Sequence, residues 1–317
     1  MGGDPSMAAT GTATVTVGNA FRQYEVAEGW AKLPATITLG YTHGVEVDSA
    51  GNVYIFHMNK PSVVKFDSEG NYLSSWGDEY ESRAHGFLLH QEDGEEFFYL
   101  TDMSGRVVKT TLDGKVLLAI ETPDLPDIYD ADRKFIPTDV AVAPNGDIYV
   151  ADGYGQHYIH QYNQEGALLR SWGGAGSDIG KLNCPHGISV DLRHSEPELY
   201  VADRGNHRIQ VFTLDGQYKR IIDENMDAPC SFYYHGDEVI FPDLHSRVTI
   251  LDKNDQLIAH LGEDQQAYKQ QGWPDLPLDY FRTNRFSSPH GVCFDADGNI
   301  YVAEWTQHGR ITKLLRK

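Results

Sequence analysis

Apolar residues in this chain fall in short runs cut at regular intervals by Asp, Asn and Gly. Segments 53–56, 147–150, 199–202 and 299–302 are rich in Val, Ile and Tyr, the composition of half-buried strands. Before them stand Ser-Ala-Gly-Asn (49–52), Pro-Asn-Gly-Asp (144–147) and Ala-Asp-Gly-Asn (296–299). These turns carry a glycine that can take the positive φ of a tight hairpin. Third strands are expected at 62–66, 107–110, 159–162, 208–212 and 247–251, followed by glycine-bearing turns at 67–70, 112–114, 163–166 and 214–216. A fourth strand often ends in Trp-Gly, as at Trp76-Gly77 and Trp172-Gly173, where tryptophan reads as packing. No segment has the period of a long helix.

The first strand of each unit opens on a recurring phrase: Thr-His-Gly-Val-Glu-Val-Asp at 42–48, Ala-His-Gly-Phe-Leu-Leu at 84–89, Pro-Thr-Asp-Val-Ala-Val at 137–142, Pro-His-Gly-Ile-Ser-Val-Asp at 185–191, Pro-Cys-Ser-Phe-Tyr-Tyr at 229–234 and Pro-His-Gly-Val-Cys-Phe-Asp at 289–295. Its second position reads His43, His85, Thr138, His186, Cys230, His290, at steps of 42, 53, 48, 44 and 60 residues. Four-stranded units at this spacing predict an all-β, six-bladed β-propeller. The sixth unit runs out of chain after three strands, and an open ring would expose sheet edges. Segment 21–28 is therefore expected to pair with the last blade and close it. We expect one domain over 21–317, preceded by a flexible tag-like segment at 1–20, with residues 1–6 an expression remnant before a second start at Met7.

Equivalent positions in propeller blades meet at the central axis, so four imidazoles and a thiol converge there. Neutral His is a good zinc ligand, and three protein ligands with an open position is the usual catalytic arrangement. His85, His186 and His290 are the preferred ligands: two follow Pro and all three precede Gly, which fixes the backbone and lets it approach closely. His43 and Cys230 are candidates for an additional ligand or for supporting contacts. A stabilising ion that plugs the channel without chemistry is the competing reading.

Loops after the second strands return to the same mouth: Ala-Asp-Gly-Tyr-Gly-Gln-His (151–157), Ala-Asp-Arg-Gly-Asn-His-Arg (202–208) and Ala-Glu-Trp-Thr-Gln-His (303–308). They place Tyr154 and Arg204 over the ring. A phenol beside a guanidinium and a metal is expected to ionise below its usual ~10 and serve as a base, and Arg204 suits a carboxylate. Arg208 reads as a structural strand residue. His160 and the rim residues Met58, Lys60, His157, Tyr158 and His207 are weaker candidates.

Composition narrows the function classes. With 46 acidic and 26 basic side chains the net charge is −20, which disfavours nucleic acid as a partner. No apolar run nears the ~20 residues of a membrane span. Residues 1–18 have no apolar signal core, so the chain is expected to be cytoplasmic, or exported after removal of a signal. Three cysteines do not make a disulfide framework, and oligomeric state is not legible.

The phrases resemble NHL-type repeats and, more closely, peptidyl-α-hydroxyglycine α-amidating lyase and its bacterial relatives, over nearly the whole chain from Tyr24. Pro-Thr-Asp-Val-Ala-Val (137–142), Asp-Gly-Tyr (152–154), Pro-His-Gly (185–187 and 289–291) and Ala-Asp-Arg-Gly-Asn-His-Arg-Ile-Gln-Val-Phe (202–212) carry the likeness. It implies zinc on His85, His186 and His290, a catalytic tyrosine at Tyr154 and an active-site arginine at Arg204. It implies cleavage of an α-hydroxyglycine-extended peptide into a peptide amide and glyoxylate. Two departures touch the substrate rim. The family's first-blade arginine has no counterpart in Phe56-His-Met-Asn-Lys-Pro61, where Met58 stands near its place. The family's Asn-Ser-Arg after the Gly-Tyr motif is here Gln156-His157-Tyr158.

The expected activity is thus a zinc-dependent (or other divalent-transition-metal) lyase on a small hydroxylated or carboxylated substrate, or on a peptide terminus, with calcium as a candidate second ion. The alternatives are a metal-dependent hydrolase or dehydratase acting on a sugar-like compound, and a non-enzymatic propeller that binds a protein.

Overall fold

The expected strands pair in sequence order. In the computed structural model, which describes residues 14–317, Thr42–Val47, Val53–His57, Val63–Phe66 and Tyr72–Trp76 form the antiparallel sheet of blade 1. Blade 2 is Ala84–Glu92, Glu95–Asp102, Arg106–Thr110 and Val116–Ile120; blade 3 is Asp139–Val142, Ile148–Ala151, Tyr158–Tyr162 and Leu168–Gly173. Blade 4 is Pro185–Asp191, Glu198–Asp203, Arg208–Thr213 and Tyr218–Ile222; blade 5 is Tyr233–His235, Glu238–Asp243, Arg247–Leu251 and Leu257–Leu261. Among the described residues the helical elements are three short 3-10 turns, and no helix is long and apolar enough to cross a membrane.

Blade 6 closes the ring as its short C-terminus demands. Pro289–Phe294, Ile300–Glu304 and Arg310–Arg316 are completed by Gln23–Ala27, with Glu25 opposite Leu315 and Val26 opposite Leu314. Thr16–Gly18 adds a fifth strand outside it. That strand lies within the expected 1–20 tail, so the sheet begins earlier than residue 21. The rest of that tail, 1–13, lies outside the described residues.

Each second strand is sandwiched between the flanking strands of its own sheet and the faces of two neighbouring blades. Val53–His57 and Ile148–Ala151 are therefore buried along their length rather than on alternate residues, whereas Glu95–Asp102 is buried only from Phe98 onward. The fourth strands form the rim and are half exposed. Trp76 and Trp172 hold blade to blade as expected. A Cβ at Gly114 would meet the Trp76 indole at 2.5 Å, and one at Gly216 the Trp172 indole at 2.9 Å. Both glycines have positive φ, so the turn of one blade forms the flat seat for the preceding blade's indole.

Candidate active site at the channel mouth

The first strands line the axis, and their leading residues converge. Ring centroids lie 4.6 Å apart for His43 and His85, 4.6 Å for His43 and His290, 4.7 Å for His85 and His186, and 4.8 Å for His186 and His290. All four are buried. Burial, first of all, pushes His85 down to about 3 and His43, His186 and His290 well below the ordinary imidazole value. They are neutral, as ligands must be.

The histidines of blades 2, 4 and 6 share a further feature. His85 Nδ1 donates to the Thr138 carbonyl at 2.6 Å, His186 Nδ1 to the Cys230 carbonyl at 2.9 Å, and His290 Nδ1 to the His43 carbonyl at 3.0 Å. Each acceptor is the equivalent residue of the next blade. A carbonyl only accepts, so Nδ1 carries the proton and Nε2 keeps its lone pair. The glycine after each of these histidines permits the contact. A Cβ at Gly86, Gly187 or Gly291 would stand 2.7, 2.2 or 2.5 Å from the accepting carbonyl oxygen itself. His43 differs: its buried Nδ1 has no hydrogen-bond partner, and a Cβ at Gly44 would meet the Phe87 side chain instead.

Tyr154 and Arg204 stack on this ring. The Tyr154 hydroxyl lies 3.2 Å from His85 Nε2 and 3.1 Å from His186 Nε2, and Arg204 Nη2 donates to it at 3.2 Å. One hydroxyl proton faces two acceptor nitrogens. That surplus of lone pairs, with the locked tautomers, fits a divalent cation. Distance alone groups other sets, because ligand atoms of His43, His85 and His290, and of His186, Cys230 and His290, lie within 4.8 Å of one another. We prefer His85, His186 and His290, whose Nδ1 bonds orient each lone pair, whereas burial pushes the Cys230 thiol up to about 12, against the pull of Arg204.

The phenol does not ionise easily on the protein's own account. Tyr154 as a residue is 39% exposed, but burial at its hydroxyl outweighs Arg204 and raises its pKa. The expected lowering therefore depends on a cation at the histidines. Arg204 also approaches Cys184 Sγ at 3.4 Å and Cys230 Sγ at 3.9 Å. Cys184 counts in the sequence only as one of three cysteines outside a disulfide framework, because it lies outside the repeated positions. All three cysteines are free.

The loops at this mouth are held by an acid at the end of the second strand. Asp102, Asp203, Asp243 and Glu304 pair with Arg106, Arg208, Arg247 and Arg310 at 2.7–3.0 Å, so Arg208 has the structural role expected of it. Blade 3 lacks the arginine, since Tyr158 stands there. Its Asp152 instead accepts from the Tyr129 hydroxyl at 2.8 Å and the Ile136 and Gln156 amides at 2.7 and 2.6 Å. Burial outweighs these hydrogen bonds and raises Asp152 to about 6. Tyr129 also meets His160 Nε2 at 2.6 Å, which places His160 in this support rather than at the mouth.

The rim candidates scatter. Lys60 is exposed and pairs with Glu81 at 3.3 Å. His157 bridges to the Cys184 amide at 3.3 Å, at φ 64°. Tyr158 packs over Gly174, and His207 bonds Asp227 across to blade 5. Met58 is half-buried, its amide donating to the Tyr41 carbonyl at 3.0 Å.

A family model described as NHL repeat matches residues 136–162, 182–212 and 286–314, which fall on blades 3, 4 and 6. The chain is a six-bladed propeller that carries NHL repeats. Human NHL repeat-containing protein 3 is 32% identical over 203 residues, covering 61% of this chain and 57% of that protein. Peptidyl-α-hydroxyglycine α-amidating lyase 1 of Drosophila melanogaster is 27% identical, covering 84% of this chain and 56% of the lyase. The chain thus spans little more than half the length of these two relatives. A solved gluconolactonase of Xanthomonas campestris shares the fold, with a TM-score of 0.62 at 14% identity over 93% of this chain and 90% of that one.

Proposed function

We propose that this NHL-repeat propeller is a metal-dependent lyase that breaks a C–N or C–O bond in a small substrate bearing a hydroxyl and a carboxylate, at the mouth ringed by His85, His186 and His290. The observation that carries this reading is the set of three histidines with Nδ1 locked on the next blade's carbonyl and Nε2 left for a ligand, beneath Tyr154 and Arg204. Similarity to the Drosophila lyase supports an α-hydroxyglycine as the substrate unit. His85, His186 and His290 would hold zinc, which when bound would supply Lewis-acid polarisation of a substrate oxygen.

The chain's own groups do the rest. Arg204 binds the carboxylate through its planar fork. Tyr154, its ionisation favoured by Arg204 and a cation, takes the proton from the substrate hydroxyl. The freed electron pair forms the C=O bond as the C–N bond breaks, and the departing nitrogen takes the proton back from Tyr154. An α-hydroxyglycine-extended peptide then yields a peptide amide and glyoxylate, with atoms and charge balanced.

Incubating the zinc-loaded protein with an α-hydroxyglycine-extended peptide and analysing products by mass tests this. Glyoxylate with peptide amide is expected; none, from protein shown to hold metal, rejects the amidating chemistry. One observation favours a second reading: Met58, not an arginine, stands on the first-blade loop, and Lys60 is tied to Glu81. Water elimination or hydrolysis on a sugar-like substrate would then be the reaction, and a substrate panel read by product mass separates the two.

A further inference from the structure

The mouth has two chemically different sides. Blades 3 and 4 carry Tyr154, Arg204 and Cys184, whereas blades 6 and 1, across the ring, carry aromatic faces. Trp305 follows Glu304 at the end of its strand, the position that Arg204 holds after Asp203 and Met58 after His57. Its ring lies 5.2 Å from Tyr41 and 6.5 Å from Trp273, a residue of the long 262–288 connection. The backbone ties all three to the start of the strands that bear His43 and His290. Tyr41 precedes His43 by two residues, the Trp305 amide donates to the Ser288 carbonyl at 2.8 Å, and Trp273 Nε1 donates to the Ser287 carbonyl at 3.0 Å.

These rings are not blade packing of the usual kind. Trp30, Trp76 and Trp172 each lie against a glycine (Gly70, Gly114 and Gly216), whereas Trp273 and Trp305 lie edge to face with each other. Tyr41, Trp273 and Trp305 are half-buried. The Tyr41 hydroxyl is turned to Asp275 at 2.6 Å and the Trp273 Nε1–H to Ser287, so these two rings offer their π faces. Such faces bind a flat apolar group by offset or edge-on contact.

We propose that Tyr41, Trp273 and Trp305 form a subsite for a planar apolar group on the far side of the scissile bond from the carboxylate. This rests on the reading of Arg204 as the carboxylate clamp. In a six-bladed ring blade 4 lies opposite blade 1, so a substrate anchored at Arg204 extends over the histidines toward this shelf. The site then selects carboxylates whose other end is aromatic.

Titration calorimetry of the zinc-loaded protein with N-benzoylglycine and N-acetylglycine tests it, since both carry the carboxylate and amide and neither has the hydroxyl that turnover needs. The benzoyl compound should bind roughly tenfold more tightly. Trp305→Leu should bring the two within about twofold while leaving N-acetylglycine unchanged. Trp273→Leu, on the connection outside the blades, should do the same and covers the case in which Trp305→Leu misfolds. Equal affinities in the parent, a preference that survives both changes, or failure of both compounds to bind each overturns the subsite. Glyoxylate release is read separately. Aryl preference without glyoxylate keeps the shelf and rejects the lyase, and glyoxylate without aryl preference does the reverse.

Discussion

Blades 2, 4 and 6 and blades 1, 3 and 5 bring the same register to the same axis and do opposite things there. The even blades supply His85, His186 and His290 as donors through Nδ1, and the odd blades supply the carbonyls of Thr138, Cys230 and His43 that receive them. Residue identity alone does not separate the two groups, because His43 belongs to the odd set and is as buried as the rest. All four histidines precede a glycine, and the separation comes from what the next blade brings against it: a carbonyl oxygen at Gly86, Gly187 and Gly291, but the Phe87 side chain at Gly44. The proposed metal site would thus be built from pairs of blades, one that presents a ligand and one that fixes its tautomer.

The largest test of that division is the His85→Ala, His186→Ala double change. Elemental analysis should find near-stoichiometric zinc in the parent and none in the variant; zinc retained there would show that His43 or Cys230 forms the site. Tyr154→Phe should keep its zinc yet lower glyoxylate release by roughly 10²–10⁴-fold, the usual weight of a general base. Unchanged turnover would remove the tyrosine from the chemistry.

Gly187→Ala probes the pairing itself. Its Cβ would fall 2.2 Å from the Cys230 carbonyl, so zinc affinity should drop by about 10–100-fold as His186 loses its orientation. Gly44→Ala, whose Cβ would press on Phe87 at 2.4 Å rather than on an accepting carbonyl, should cost less zinc affinity than Gly187→Ala, and equal losses in both would dissolve the distinction between odd and even blades. His43→Asn is expected to shift zinc affinity by less than about tenfold, since its Nδ1 has no bond to the next blade's carbonyl.

The smallest effect concerns blade 3. Asp152 sits near 6 in the folded chain, above its unfolded value. Its contribution to stability is full below the unfolded pKa and is lost as pH rises through about 6. Relative to Asp152→Asn, the parent should therefore lose on the order of 1–2 kcal/mol between about pH 4 and pH 7. Parallel denaturation curves across that range would show that the carboxyl is not held unpaired.

Much of the scaffold was legible because it is local. Alternating strand and turn chemistry, and the missing fourth strand of blade 6, follow from residues close in sequence, and Gln23–Ala27 closes the ring where 21–28 was expected to. The convergence of His85, His186, His290, Tyr154 and Arg204 was legible because a repeat maps one register onto one axis. Cys184 beside Arg204, and the aromatic shelf of Tyr41, Trp273 and Trp305, were not. They come from irregular connections between blades, where no period predicts which side chain turns inward. The phenol of Tyr154 was expected to ionise readily, and only the enclosed position of its hydroxyl revealed the opposing burial.

The sequence by itself determined a six-bladed ring, the candidate axial residues and the sign of the surface charge, since strand period, turn residues and composition act over a few residues or over none. Only the tertiary structure decided which of four equivalent histidines presents an oriented lone pair. That choice rests on hydrogen bonds between residues 44 to 247 positions apart, made where one blade's glycine lets the next blade's carbonyl come close.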